Sequence, residues 1–419
     1  MESLVKPEPG FDGPGLPMGL LAVLQQVASE VGIKRLALVG GAVRDGLLHR
    51  VHFDPWRGLP DLDLVVEGSA VVLAKALRRH VGPEQLPQLR VHGAYGTVEL
   101  VVDGVLLDLA TARQETYASP GQNPQVTEGH LEEDLARRDF TVNAMALELP
   151  GMTLLDPHDG WAALAMRQLV FLHSNSVADD PTRVVRGARY AARLGFVLAP
   201  EALAQVRSTL QSWPWAWRPG EAPKLAPPAL STRLRMELEL LLEREPWQKA
   251  VAHLQDWGAL VLLDEGLQAD QNWHRRMRWA WRLELPLLTA LVAGAADPLA
   301  MAERLQLPQL QQRLLAEAAE LQILLASLEV AESLSTWSPA RWCETLEGNG
   351  WQPEAVALCV CLGVPMWRPL LRWWGRWRQV KSPVSAQALI DQGWRPGPAL
   401  GAELQRLRLE LIDQQVALR

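Results

Sequence analysis

The first 150 residues alternate between short apolar runs and amphipathic stretches, a pattern that predicts a domain with both strands and helices. The spacing of the apolar residues predicts helices over 18–31 and 70–81, strands over 35–41 and 61–68, and a β-hairpin over 96–113. The hairpin is predicted to turn at Asp103-Gly104, because Asp-Gly favours two-residue turns.

The pattern changes at about residue 161, beyond which the apolar spacing is helical and is interrupted by proline and glycine. Segment 213–230, WPWAWRPGEAPKLAPPAL, is the strongest linker candidate. Segment 231–244 then predicts a helix that begins at a Ser or Thr cap. Its four same-face leucines are Leu234, Leu238, Leu241 and Leu242. The chain is therefore predicted to be α+β, with a mixed-sheet head followed by an all-α remainder.

Composition narrows the class of protein. With 419 residues, 48% hydrophobic and 21% charged, the chain is predicted to be globular with more than one domain. Its net charge of −7 means that a nucleic-acid partner would need a local basic surface. Apolar runs fall short of the roughly 18 residues that cross a membrane, so no membrane partner is expected. Residues 1–17 are expected to be a flexible leader without signal-peptide features. Three cysteines without a C-x-x-C pattern favour a reducing, cytoplasmic location over a structural zinc site.

The stretch DLDLVVEG, residues 61–68, carries two aspartates on one face of a predicted strand. Asp61 and Asp63 would lie roughly 6–7 Å apart and repel each other, and a divalent cation would compensate for that repulsion. The alternative is a solvent-facing strand edge. Asp108, on the return strand of the hairpin, is a further candidate ligand, or else a carboxylate hydrogen-bonded at the sheet end.

Two glycines precede this carboxylate pair in LVGGAVRD. Gly40 and Gly41 follow a predicted strand, where they let the backbone approach a phosphate closely, and Arg44 adds a positive charge. A simple turn is the alternative. The order of glycines and then carboxylates favours a phosphate cradle next to a metal site.

The segment RRDFTVNAMAL, residues 137–147, places polar side chains at the start of what is predicted to be an apolar helix. Arg138 is a candidate to grip a triphosphate, and Asp139 and Asn143 are candidates to bond ribose hydroxyls. The alternative is a capped helix with exposed arginines.

A second dense motif, DDPTRVVRGARYAARLGF, spans residues 179–196. Asp180 and Arg183 are three residues apart and are predicted to share a helical face. They are either a surface ion pair or an acceptor and a donor that read the edge of a base.

Two segments of the helical remainder, 272–282 and 366–381, interleave arginine with tryptophan. Such segments can bind backbone phosphates and stack on bases. The candidate RNA-binding residues are Arg275, Arg276, Arg372, Arg376 and Arg378. The alternative is that the tryptophans form the core and the arginines cover it.

The motifs LVGGAVRD, DLD, RRDFTVNAMAL, DPHDGW and DDPTRVVRGARYAARLGF, in this order, resemble the class II tRNA nucleotidyltransferases. These are the CCA-adding enzymes, which share a head domain with bacterial poly(A) polymerases. The resemblance covers about residues 35–245. It implies a polymerase-β-type head over 18–160, a helical neck with a nucleotide-selecting motif over 161–245, and a tRNA-binding body and tail over 246–419.

The resemblance also implies roles for single residues. Asp61 and Asp63 match the catalytic pair that binds Mg²⁺. The nucleotide-binding positions that match are Gly40, Gly41, Arg44, Asp45, Arg138, Asp139, Asn143, Asp180, Arg183 and Arg186. Among them Asp180 and Arg183 match the amino-acid template that selects CTP and then ATP. The implied reaction is attack of a tRNA 3′-hydroxyl on the α-phosphate, with release of pyrophosphate.

The sequence departs from the family in a longer link over 46–60 and in Thr232, where many members have Glu. Addition of CC only, of A only, or of poly(A) remain alternatives on the same scaffold, and a non-catalytic RNA-binding protein is a remote one. The loop over 111–137 argues against CC addition alone, because CC-only relatives tend to lack part of it. The oligomeric state stays open.

Overall fold

The computed structural model describes residues 18–56, 58, 61–92, 96–102 and 104–417. The predicted leader over 1–17 lies outside these residues. The described chain divides into two compact units. Unit 1 runs to Trp217 and includes Pro227–Ala259, and unit 2 comprises Arg218–Ala226 and the chain from Leu260. The finer division into head, neck and body stays a prediction.

A mixed sheet forms the centre of unit 1. Within the described residues it has seven strands in the order β3-β4-β5-β2-β1-β8-β9. These strands are β1 Leu36–Val39, β2 Leu62–Val66, β3 Leu89–His92, β4 Thr97–Val102, β5 Val105–Thr111, β8 Ala146–Leu149 and β9 Thr153–Leu155. Strand β2 runs parallel to β5, and the other neighbours are antiparallel. The interior strand β1 is buried along its whole length, which explains its uninterrupted apolar sequence.

Smaller strand pairs and helices surround this sheet. The pairs are β6 Arg113–Thr116 with β7 Gln125–Glu128, and β10 Gln168–Leu169 with β11 Val197–Leu198. The helices are α1 Met18–Glu30, α2 Gly41–His52, α3 Ala70–Val81, α4 Leu131–Ala136, α5 Gly160–Ala165, α6 Ser176–Asp179, α7 Thr182–Leu194, α8 Pro200–Ser212, α9 Thr232–Arg244 and α10 Trp247–Trp257. Short 3₁₀ helices lie at Thr141–Asn143 and Pro228–Leu230.

Unit 2 is helical throughout its described residues. Its helices are α11 Glu265–Ala269, α12 Trp273–Arg282, α13 Leu287–Val292, α14 Pro298–Arg304, α15 Gln309–Ala331, α16 Pro339–Gly348, α17 Pro353–Leu362, α18 Trp367–Gly375, α19 Ala386–Asp391 and α20 Pro398–Ala417. Short 3₁₀ helices lie at Pro223–Leu225, Leu334–Thr336 and Trp377–Gln379, and Ala259–Leu262 forms another at the junction of the units. The cysteines Cys343, Cys359 and Cys361 are buried and free. Among the helices that the structure describes, none has both the length and the apolar character to cross a membrane.

The α+β prediction is confirmed, and several elements match closely. Helix α3 has the predicted bounds, and the Ser69 hydroxyl caps it by accepting from the Val72 backbone N–H at 3.3 Å. The hairpin of β4 and β5 is present, although Asp103 of its predicted turn lies outside the described residues. The four predicted leucines of α9 are all buried. Helix α9 begins directly after Ser231, as predicted, but the Ser231 hydroxyl donates to the Pro227 carbonyl and makes no capping hydrogen bond to the helix.

The helix predicted to start within 137–147 is wrong. Residues Thr141–Asn143 form one 3₁₀ turn, and the apolar residues after it become strand β8, which pairs with β1. A short apolar run fits a buried strand as well as a helix, and pairing with a central strand decides between them. Likewise, strands do not end at residue 161, since β10 and β11 form a small parallel pair beyond it.

The linker predicted over 213–230 is packed in its unit 1 portion. Trp215 and Trp217 are each only 3% exposed. The Trp215 indole N–H donates to the Ala178 carbonyl at 2.9 Å. A side chain at Gly121 would come within 2.8 Å of Trp215, so the two chain segments are in close contact. This part of the segment is therefore a core element.

Candidate active site

One cleft of about 940 Å³ in unit 1 collects the predicted site residues of this unit. It is lined by side chains or backbone of Gly40, Gly41, Arg44, Asp45, Asp61, Asp63, Asp108, Arg138, Asp139, Asn143, Asp180, Arg183 and Arg186. They come from the end of β1, from α2, from the start of β2, from β5, from the turn before β8, and from α7 and the turn that precedes it. The structure thus brings together motifs that are separated by up to 146 positions in the chain, from Gly40 to Arg186.

The carboxylates form a row across neighbouring strands. Asp63 on β2 is directly opposite Asp108 on β5, and Asp108 is opposite Glu99 on β4. Asp61 immediately precedes β2. Leu107 is fully buried on the other side of the sheet, as the predicted alternation requires. Glu99 was not predicted as a site residue, although it occupies an outward position in the alternating β4.

The ionised forms of the carboxylates in this row are disfavoured by burial and by the negative charges beside them. Burial raises the pKa of Asp63 to about 6, with Asp108 and Asp61 adding to the rise and Arg138 opposing it. Burial also raises the pKa of Asp108, and Glu99 and Asp61 contribute. A bound cation would relieve this repulsion, and carboxylate oxygens are the ligands that Mg²⁺ prefers.

The protein alone supplies few metal ligands at this row. Among the described residues, no three His, Cys, Asp or Glu side chains form a group that could hold a metal ion by themselves. A magnesium site that takes its remaining ligands from substrate phosphates and water fits such an incomplete set.

Gly40 lies at the end of β1 with a φ of 69° and a ψ of −134°. A Cβ at this position would lie 3.0 Å from the Asp63 Oδ2 atom and 3.3 Å from the Arg138 Nη1 atom. Both the backbone conformation and the close approach therefore require glycine. Helix α2 begins at the next residue, Gly41, so its N-terminal N–H groups adjoin the cleft.

Arg44 is buried and bonded within the protein. Its Nη1 donates to the Asn143 Oδ1 at 2.7 Å, and its Nε donates to the Asp45 Oδ1 at 2.8 Å. The guanidinium lies 5.4 Å from the centre of the Tyr190 ring. These bonds fix α2 to the turn before β8, so Arg44 holds two parts of the cleft together.

Asp139 connects this turn to α7. Its Oδ1 accepts from the Phe140 N–H and from the Asn143 amide, and its Oδ2 accepts from the Arg186 Nε at 2.7 Å. Burial acts to raise the pKa of Asp139, but Arg186 and these hydrogen bonds outweigh it and lower the pKa to about 2. Arg186 also donates to Glu237 on α9 at 3.2 Å. The predicted ribose contacts of Asp139 and Asn143 stay a prediction.

Arg138 points toward the carboxylates and is largely buried. Its side chain is 17% exposed, and its Nη2 donates to the Asp134 Oδ2 at 2.9 Å. Arg137 binds the same Asp134, whose side chain is fully buried, and also Glu115. The alternative of a capped helix with exposed arginines is therefore wrong.

Asp180 and Arg183 do not pair with each other. Asp180 accepts from the Thr182 backbone N–H and hydroxyl, and its other oxygen pairs with Arg233. Arg183 contacts the His173 Nε2 at 3.2 Å and donates to the Arg137 carbonyl at 2.9 Å. The two residues are only 6% and 4% exposed. The surface ion pair is therefore wrong, and the carboxylate and the guanidinium are held separately in the cleft wall.

The wall residues that the sequence analysis did not single out include Arg233, Glu237 and Tyr190. Arg233 and Glu237 lie one helical turn apart on α9 and bind Asp180 and Arg186, respectively. Tyr190 is surrounded by guanidinium groups, with that of Arg193 5.3 Å from its ring centre. The i,i+4 spacing of charges on α9 is the one signal that could have suggested these partners.

The RNA-binding candidates lie in unit 2 and differ in exposure. Arg276 is 6% exposed, donates to the Ala290 carbonyl at 2.8 Å and pairs with Asp270 at 2.6 Å. It holds α12 to α13, so its prediction as a surface RNA contact is wrong. The others, Arg275, Arg372, Arg376 and Arg378, are exposed.

The tryptophans of these two segments divide between core and surface. Trp273, Trp373 and Trp377 are buried, which confirms the core alternative for them. The Trp279 and Trp367 rings lie 5.8 Å apart and bring α12 next to α18. The Arg275 guanidinium lies 5.8 Å from the Trp367 ring centre.

Comparison with known proteins shows similarity to poly A polymerase head domains and to tRNA nucleotidyltransferases. Residues 36–170 match the family described as the poly A polymerase head domain. The CC-adding tRNA nucleotidyltransferase of Deinococcus radiodurans is 38% identical over 68% of this chain and 70% of its own length. The A-adding tRNA nucleotidyltransferase of Halalkalibacterium halodurans is 38% identical over 42% of this chain, but over only 40% of its own length.

A solved structure of a CCA-adding enzyme, apo form II, superposes with a TM-score of 0.71 at 24% identity. The superposition covers 94% of this chain and 92% of the other. It therefore supports the same fold over nearly the whole chain.

Proposed function

The chain belongs to the class II tRNA nucleotidyltransferase family, and from this premise we propose that it adds the 3′-terminal CCA of tRNA from CTP and ATP. It does so without a nucleic-acid template and releases pyrophosphate. The observation that carries the proposal is the carboxylate row of Asp61, Asp63 and Asp108 facing an arginine-rich wall in one cleft. This combination suits a reaction between a hydroxyl and a triphosphate.

Asp61 and Asp63 would hold Mg²⁺, and Asp108, opposite Asp63 on β5, would add negative charge beside the ion. The ion supplies charge neutralisation at the α-phosphate and favours deprotonation of the attacking hydroxyl. Gly40 leaves room for phosphate oxygens beside Asp63, since a Cβ there would already crowd the carboxylate. The guanidinium of Arg138, next to the same carboxylate, would balance the charge that develops on the pyrophosphate leaving group.

Asp180 and Arg183 supply one acceptor and one donor for the edge of the incoming base. Asp180 pairs with Arg233, and Arg183 is held by His173 and Arg137, so no ion pair between Asp180 and Arg183 has to break before a base bonds both. This arrangement supports selection of CTP and ATP by side chains alone.

Binding of tRNA is supported by residues of unit 2. Exposed arginines and the ring of Trp367 lie together on α12 and α18, which suits phosphate contact and stacking. These substrates, together with buried reduced cysteines, support a cytoplasmic location.

Addition of CC alone is a second candidate, favoured by the similarity to the Deinococcus enzyme. The segment 111–137 supports complete addition, because the chain contains this segment as an ordered β6–β7 pair followed by α4.

The experiment is incorporation on three purified tRNA transcripts that end before CCA, after C and after CC, each with CTP, ATP and magnesium. Extension of all three to CCA is the expected result. Extension that stops after CC would support the second candidate, and extension of only the CC-ended transcript would indicate an A-adding enzyme.

A further inference from the structure

We propose that His173 is a positioning residue that aims the base-reading guanidinium of Arg183 through the lone pair of its neutral imidazole. This inference rests on the proposed function and adds a residue that the motif does not contain. His173 lies in the turn between β10 and α6, ten positions before Arg183.

The first observation is how Arg183 is held. Its Nη1 lies 3.2 Å from the His173 Nε2, and its Nη2 donates to the Arg137 carbonyl at 2.9 Å. These two contacts come from different segments and constrain the plane of the guanidinium. They use two of its five N–H donors, and the others remain for a base.

The second observation fixes the tautomer. A guanidinium has no acceptor, so the His173 Nε2 must accept and cannot carry a proton. The proton is then on Nδ1, which faces the Asp179 Oδ2 at 4.0 Å. Asp179, His173 and Arg183 thus form a chain in which the imidazole is neutral and oriented.

The third observation is that the turn carrying His173 is anchored. The His173 N–H donates to the Ser176 hydroxyl, and the His173 carbonyl accepts from the Ser176 N–H at 3.1 Å. The amide of Gln205, on α8, donates to the same carbonyl at 3.0 Å. The ring therefore sits on a fixed backbone, as a positioning group requires.

Protonation of His173 would break this arrangement. An imidazolium would place a second N–H against the Arg183 guanidinium, so the contact would become repulsive. The charged groups that face the ring are Asp179 from α6 and Arg183 from α7. Burial, followed by Arg183, lowers the pKa of His173 below its ordinary value, which keeps the ring neutral near neutral pH.

The test compares two substitutions that differ in one acceptor. His173→Phe keeps an aromatic ring but removes the nitrogen lone pair that accepts from Arg183. His173→Gln keeps an acceptor, the side-chain amide oxygen, at a similar distance from the backbone. The His173 side chain is 39% exposed, so neither change leaves a core cavity. His80→Phe, at the exposed end of α3 and outside the cleft, is the matched control.

The readout is the ratio of kcat/KM for CTP to that for UTP on a tRNA transcript lacking CCA, with Tm as the measure of folding. We expect His173→Phe to lower this ratio about tenfold, mainly through KM, because a bond to a charged group is lost. His173→Gln and His80→Phe should stay within about twofold of the unmodified chain. Unchanged selection in His173→Phe, or an equal loss in His173→Gln, would overturn the proposal.

A pH series gives a second readout that a merely structural role would not move. From about pH 8 to about pH 5, the selection ratio of the unmodified chain should fall, while that of His173→Gln should stay flat. Parallel profiles would overturn the proposal. If the unmodified chain incorporates no nucleotide, the proposed function fails instead, and equilibrium binding of CTP to the two variants still tests the positioning.

Discussion

At the residue scale, the cleft depends on side chains whose hydrogen-bonding atoms are mostly used inside the protein. Asp139 joins the turn before β8 to α7 through Arg186 and to α2 through Asn143 and Arg44. Such a buried network rigidifies a site when all its members are bonded. The arginines of this network therefore hold the segments of the cleft in place and also give the cleft wall positive charge.

The depressed pKa of Asp139 gives a prediction about stability and pH. Because its folded pKa of about 2 lies below its ordinary value of 3.8, its carboxylate stabilises the fold above that ordinary value. This contribution is lost as the pH falls toward 2. We expect Asp139→Asn to lower the free energy of unfolding by about 2 kcal/mol at pH 7. The difference from the unmodified chain should shrink as the pH falls below 4. Denaturant unfolding at a series of pH values checks this, and a difference that does not change with pH would contradict it.

Substitution of Gly40 gives a prediction in which the effect of backbone strain can be separated from the effect of a close contact with Asp63. Gly40→Ala adds a Cβ 3.0 Å from the Asp63 Oδ2 in a conformation that alanine disfavours. We expect nucleotide incorporation to fall more than about 100-fold, with a loss of stability of about 1–3 kcal/mol.

Gly195→Ala is the matched control for Gly40. Its φ is 73°, but a Cβ there meets no atom within 4 Å. We expect a loss of about 1 kcal/mol in stability with activity retained. Equal activity losses in the two variants would show that the contact with Asp63 is not the cause.

At the element scale, the parallel pairing of β2 with β5 creates the carboxylate row. A shift of one residue in the register would move Asp108 to the opposite face and Leu107 into the cleft. The buried leucines on the other face of these strands therefore fix where the carboxylates lie.

The row predicts a graded response to neutralising substitutions. Asp63→Asn should reduce incorporation at least about 1,000-fold, because it removes a proposed metal ligand at the buried centre of the row. Glu99→Gln should reduce it less than about tenfold, since Glu99 is partly exposed and pairs with Arg90 at the sheet's outer strands. Initial rates over a magnesium titration check this. An equal loss in both variants would contradict the assignment of the ligands.

At the scale of the whole molecule, the proposed tRNA substrate is a polyanion whereas the chain has a net charge of −7, so the distribution of arginines matters more than their number. The exposed arginines of α12 and α18 provide a local basic surface in unit 2. Arg276 shows that not every arginine of a basic segment belongs to that surface, because it is buried against Asp270.

Substitutions of two neighbouring arginines on α12 are therefore expected to affect different properties, tRNA binding in one case and stability in the other. Arg275→Met should weaken tRNA binding several-fold, reduce its salt dependence and leave stability unchanged. Arg276→Met should destabilise unit 2 by about 3 kcal/mol, because the ion pair with the Asp270 Oδ2 and the hydrogen bond to the Ala290 carbonyl are both lost. Filter binding at several salt concentrations and thermal unfolding check both. A Kd unaffected by Arg275→Met at every salt concentration would remove this residue from the tRNA surface.

Strong local signals in the amino-acid sequence were enough to predict several elements. Helices α3 and α9 and the hairpin of β4 and β5 follow from apolar periodicity and turn residues, which act over a few neighbouring positions. The order of the motifs also indicated the family, because each motif is a short run of consecutive residues that can be identified without the structure. These are properties of short segments, and the tertiary packing is compatible with them.

Other features depend on packing between distant segments, because the local sequence is compatible with more than one conformation or partner. The run after Asn143 became strand β8 because β1 offered a buried partner, although its sequence also fits a helix. Asp180 binds Arg233 and not Arg183, and Arg183 binds His173, since long-range packing supplies competing partners that spacing cannot reveal. Arg275 and Arg276 are alike in sequence and differ only in the direction of their side chains on α12. Such choices depend on contacts between distant segments, and for that reason the sequence leaves them open.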